Sequence, residues 1–117
     1  MKGKTNMYII TNVTGYGEYT PSKAKTFDEA VNFMVETTIE NYLAGVGDVS
    51  EFAEMSGLPE NFSYKELEEK GLTIEFLNWA EKAGGLNFFI NEDSASSRVI
   101  YDDDTFNLMH VYDVDKL

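Results

Sequence analysis

Three consecutive aspartates, Asp102, Asp103 and Asp104, stand just ahead of the single histidine of the chain, His110. Carboxylates and an imidazole are cation ligands, and the same groups serve as acid–base partners in hydrolytic centres. A helix–loop–helix calcium loop needs oxygen ligands at alternating positions, a central glycine and a closing glutamate. Asp102 and Asp104 alternate, but Phe106 takes the next ligand position and no glycine follows. The spacing therefore fails that motif, and a looser calcium or magnesium site would need another carboxylate brought in from elsewhere. Aspartate also suits tight turns, because its short side chain hydrogen-bonds nearby backbone and tolerates left-handed geometry. The run is read as a turn, and no metal or cofactor is assigned.

His110 has no partner in the sequence that makes it catalytic. A Ser-His-Asp centre needs a positioned serine, and no nucleophile-elbow motif is present. Alternation puts Phe106, Leu108, His110 and Tyr112 on one strand face and Asn107, Met109 and Val111 on the other, so His110 reads as a structural residue of a half-buried strand. The stretch TGYGEY, Thr14 to Tyr19, places a G-x-G after a strand, as dinucleotide-binding loops do. Thr20 occupies the third glycine position and no helix follows directly, so this too is a turn. A helix–glycine–helix cadence over residues 48–82 has the outline of a DNA-reading helix pair. It carries nine acids against three lysines where such a reader needs basic residues. Paired carboxylates can act as acid and base in glycosidases, but among 21 acidic residues such pairs arise by chance. No set of residues nominates an enzyme.

The elements that must hold these residues are legible from periodicity and caps. Met7–Val13 is apolar and β-branched and reads as a strand, followed by a turn-rich segment with a possible hairpin and short edge strand around Glu18–Lys25. Phe27, Ala30, Val31, Met34, Val35, Ile39, Tyr42 and Leu43 recur at helical steps. Thr26 and Glu29 form a capping-box pattern ahead of them, and Gly45 supplies the stop. Asp48 with Glu51, Ser63 with Glu66, and Thr73 start three shorter helices between about residues 49 and 83, with Gly57, Gly71 and Gly84 as stops. Phe52, Met55, Leu67, Phe76, Leu77 and Trp79 are their expected buried residues. From Leu86 the period changes to alternation, giving strands LNFFIN, SRVIY and TFNLMHVYDV separated by short turns. The expected fold is a single α+β domain over residues 1–117. In it an N-terminal strand or hairpin, one long helix and about three short helices pack on an antiparallel sheet, which a C-terminal three-stranded meander completes. Successive turns of a meander lie at opposite ends of its middle strand, so Glu92 and Asp93 are expected far from Asp102–Asp104.

Composition narrows the class of function. The 117 residues are 43% hydrophobic and 14% aromatic, enough for a packed core. The absence of cysteine excludes disulfides, thiolate metal sites and thiol catalysis. No stretch has the roughly 20 apolar residues of a membrane span, and the N-terminal apolar run is too short for a signal-peptide core, so a cytoplasmic protein is the default. Nine basic residues stand against 21 acidic ones, a net charge of −12. Residues 1–25 are locally +3 and residues 26–117 are −15. Such a body repels nucleic acids and anionic membranes, and favours a basic protein surface. The expectation is a non-enzymatic interaction protein that binds a basic partner, in its most concrete form an inhibitor presenting carboxylates where phosphates would lie. Its expected contact residues are Glu66, Glu68, Glu69, Glu92, Asp93, Asp102, Asp103 and Asp104, with Tyr16 and Tyr19 as aromatic anchors. Cation binding and homo-oligomerisation are the alternatives.

Overall fold

A computed structural model describes residues 7–14, 21–45, 48–101 and 104–114. The element order is β1 (Tyr8–Thr14), β2 (Ser22–Ala24), α1 (Phe27–Gly45), α2 (Ser50–Ser56), α3 (Tyr64–Glu69), α4 (Thr73–Lys82), β3 (Leu86–Ile90), β4 (Ala95–Tyr101) and β5 (Asp104–Asp113). The architecture is α+β, with four helices and a five-stranded antiparallel sheet in the order β2-β1-β5-β4-β3. Among the described residues no helix is long and apolar enough to cross a membrane.

The sheet joins the two ends of the chain. β3, β4 and β5 form the meander, and β1 pairs antiparallel along β5 from Tyr8↔Asp113 to Thr14↔Asn107. β5 is thereby central, flanked by β1 and β4. The short edge strand β2 pairs with β1 through Ile9↔Lys23. β3 connects to β4 at its Ala95 end, and β5 begins opposite the other end of β4, at Tyr101↔Asp104. β4 opens at Ala95, two residues ahead of the expected start, because Ala95 and Ser97 are buried small residues of the inner face.

One sheet face carries the core. Ile10, Leu86, Ala95, Val99, Met109 and Val111 point inward and are buried beneath Ala30, Met34, Val35, Ile39 and Tyr42 of α1. The Thr38 hydroxyl, buried in α1, lies 2.6 Å from Ser97 Oγ and 3.8 Å from Met109 Sδ. Helix and sheet therefore share a satisfied polar pair inside an apolar layer. Asn107 is 2% exposed. It donates through Nδ2 to Asn12 Oδ1, while its own Oδ1 has no partner. Close approach sets the α4–β3 junction: a Cβ on Gly85 would run into the buried Tyr42 ring, so glycine lets the strand start against that phenol.

Local chemistry explains the helix ends, with two corrections. The Thr26 hydroxyl accepts from Glu29 N at 3.1 Å. Ser63 and Glu66 form a reciprocal capping box. The expected box of Asp48 and Glu51 does not form. Asp48 instead accepts from the Ser50 N–H and hydroxyl, which hold its carboxyl below the usual carboxylate range. Glu51 is taken by Trp79. Nor does Thr73 cap α4, because the Leu72 carbonyl already accepts from Phe76 N and makes Leu72 the cap residue.

Candidate protein-binding surface

The helices cover one face of the sheet, and their outer surface is acidic. Residues 27–83 hold thirteen acids and three lysines, a net of −10. Every one of those acids is exposed except Glu66, which is half-buried. Two places on this layer have defined geometry.

The first is built on Tyr64, at the start of α3. Its hydroxyl donates to Glu68 Oε2 at 3.5 Å, one helical turn on. Burial raises its phenol pKa above the ordinary value of 10.0, and the charges of Glu68, Glu36 and Glu40 raise it further. Glu36 and Glu40 are one turn apart on α1, so carboxylates from two helices face a single half-buried ring. Among the described residues no group of three acidic or histidine side chains has the closeness that would hold a metal ion.

The second is a groove between α2 and α4, of about 360 Å³, lined by Phe52, Met55, Ser56, Glu75, Asn78, Trp79 and Lys82. Its floor is the edge of an aromatic knot. Phe52 packs on Phe76, Trp79 and Phe62 with ring centroids 5.1, 5.6 and 6.1 Å away, and Phe76 packs edge-on against Tyr42 at 5.6 Å. Phe52, Phe62 and Phe76 are buried, and Trp79 is half-buried at the rim. Trp79 Nε1 donates to Glu51 Oε1 at 3.1 Å and ties α4 to α2. Met55, expected in the core, is 67% exposed on the groove wall. α2 is only seven residues long and spends its one buried face on Phe52 and Ala53. Glu75 and Lys82 sit two turns apart on α4, about 10 Å along the axis, so one end of the groove is anionic and the other cationic.

The expected contact residues fall in separate places. Glu68 and Glu69 are exposed on α3. The Glu66 carboxylate is engaged in the capping box. Glu92 and Asp93 are exposed in the turn that joins β3 to β4, not on a helix. Asp104 opens β5, opposite Tyr101. Asp102, Asp103, Tyr16 and Tyr19 lie outside the described residues. The structure brings together residues that the sequence did not mark as a site: Glu36, Glu40 and Tyr64 at one place, and at the other Glu75 with Glu51, read as a capping residue, and Met55 and Trp79, read as core. The four-residue steps Glu36–Glu40 and Tyr64–Glu68 were the available signal, but no local pattern announces that α1 and α3 meet.

His110 lies on the opposite face of the sheet, half-buried and stacked on Tyr112 with centroids 5.7 Å apart. Its cross-strand neighbours are Thr11 and Ser96. No protein-family model matches the chain, and neither a curated protein nor a solved structure is significantly similar to it.

Proposed function

We propose that the chain is a non-enzymatic interaction protein whose helical layer docks on a basic surface of a partner protein. The concrete form of this reading is an inhibitor that occupies a surface built for nucleic-acid phosphates. The observation that carries it is the segregation of charge: residues 27–83, which form the helical layer, hold thirteen acids against three lysines, and twelve of those acids are exposed. In this reading Glu36, Glu40, Glu68 and Glu69 meet the partner's cations. The groove between α2 and α4 takes one lysine or arginine side chain, its apolar stem on Met55 and its charge at the half-buried Trp79 and beside Glu75. A cation held against an indole gains about 0.5–2 kcal/mol, and aromatic anchors of this sort concentrate binding energy. Exposed charge contributes through steering and is screened by salt over about 8 Å at physiological ionic strength.

The test is capture from a lysate on the immobilised protein, followed by competition between the captured protein and its nucleic acid. Enrichment of a basic, nucleic-acid-handling protein is the expected result. The captured protein should be released by raised salt, and its nucleic-acid binding should fall as this chain is added. A captured protein that holds equally well at high salt, or enrichment of no basic protein, contradicts the reading.

A further inference from the structure

The face of the sheet opposite the helices has no described element packed on it. Register and burial fix its residues in three rows. Tyr112, Ile9 and Lys23 form one row across β5, β1 and β2; Phe89, Ser96, His110 and Thr11 form the next across β3, β4, β5 and β1; Asn87, Arg98, Leu108 and Val13 form the third. An antiparallel sheet with one solvated face normally alternates apolar-in with polar-out. Here Ile9, Val13 and Leu108 are half-buried on the outer side, with Phe89 55% and Tyr112 40% exposed beside them. The face also carries none of the chain's carboxylates at these positions. Its charged residues are Lys23 and Arg98, in a chain whose net charge is −12.

We infer that this face is the interface of a two-fold dimer with a second copy of the chain, sheet against sheet, with the axis running along β5. Two bodies of this charge repel wherever their helical layers approach, and this face is where they can meet without carboxylates opposed. An axis along β5 lays Leu108, His110 and Tyr112 on their own counterparts and sets β2 over the second copy's β3. Lys23, in the row of Tyr112, then lies over the end of the β3–β4 turn, where Glu92 is exposed. Arg98 lies with its aliphatic stem over Val13 of the second copy, and Phe89 lies over Pro21. The complementary charge of Lys23 and Glu92 thereby fixes the register, and the apolar rows supply the attraction. With strands about 4.8 Å apart the face is roughly 20 Å on a side. That is small for a specific interface, so the dimer is expected to be weak, with a dissociation constant on the order of micromolar or above.

Sedimentation equilibrium on the full chain, from about 1 to 500 µM, reads this directly. The expected result is a monomer–dimer equilibrium that stops at two copies. Tyr112→Glu, which opposes two carboxylates on the axis, should weaken it at least tenfold with the fold intact by circular dichroism. Lys23→Glu should weaken it by a smaller factor, and adding Glu92→Lys should restore it. A monomer at every concentration overturns the inference. So does a dimer indifferent to Tyr112→Glu, a charge swap that fails to restore association, or assembly continuing beyond two copies.

Discussion

The two outward surfaces of this molecule are made by opposite means. The helical side exposes carboxylates over a packed aromatic knot. The sheet side presents apolar and aromatic side chains fixed by register, among them Ile9, Val13, Leu108, Phe89 and Tyr112, with two cations, Lys23 and Arg98. A surface of the first kind attracts at a distance and is sensitive to salt. A surface of the second kind attracts only on contact, by removing apolar area from water. One chain can therefore hold two contacts of different chemistry on opposite sides of one core without either competing for the other's residues.

The largest expected difference between the two sides is in stability. Phe76 is fully buried at the centre of the knot, touching Tyr42, Phe52, Phe62 and Trp79. Phe76→Ala should cost about 3–5 kcal/mol in denaturant unfolding, through lost burial and the cavity left behind. Phe89→Ala, on the open side, should cost under about 1 kcal/mol. Equal costs would mean that the open face is packed as firmly as the core.

The joint between the layers comes next. Thr38→Val leaves the Ser97 hydroxyl buried without its partner and should cost about 1–3 kcal/mol, whereas Thr38→Val with Ser97→Ala should cost less than the single change. A double variant less stable than the single one would show that the pair is not what joins α1 to β4. Smaller again is Trp79→Phe, which keeps the ring in the knot but removes the bond to Glu51. A loss of about 1 kcal/mol in denaturant unfolding is expected, with the far-ultraviolet circular dichroism unchanged.

The smallest effect is in alkali. Burial raises the phenol pKa of Tyr42, and burial with the Glu68, Glu36 and Glu40 charges raises that of Tyr64, both from 10.0. A raised folded value means that the unfolded chain releases these protons first. Their contribution is therefore fully present below pH 10.0 and is lost as pH rises through the folded values. Denaturation at pH values on either side of 10.0 should show that loss, and Tyr64→Phe should reduce it.

How much of this was legible in the sequence depends on the range of the interactions. The helix of residues 27–45 and the Ser63–Glu66 box were readable because their chemistry is complete within one turn. The Asp48–Glu51 pattern misled because Glu51 has a better partner in Trp79, 28 residues away. Met55 has core spacing from Phe52, yet a seven-residue helix has one face to bury, and Met55 falls beside it. The alternation of β5 identified its two faces correctly. It could not show that β1 closes along β5, nor that Ser97 turns inward to meet Thr38, because both depend on pairing across more than fifty residues. The acidic trio around Tyr64 was hidden for the same reason.

The division of labour between the faces is tested most directly by one capture experiment with three proteins on the support. These are the parent chain, a helical-layer variant with Glu36, Glu40, Glu68 and Glu69 all changed to Lys, and the open-face variant Tyr112→Glu. The account predicts that the parent and Tyr112→Glu hold the same basic partner, and that the helical-layer variant loses at least tenfold in affinity, about 1.4 kcal/mol. Capture that survives reversal of the four glutamates, or that disappears with Tyr112→Glu alone, would contradict it.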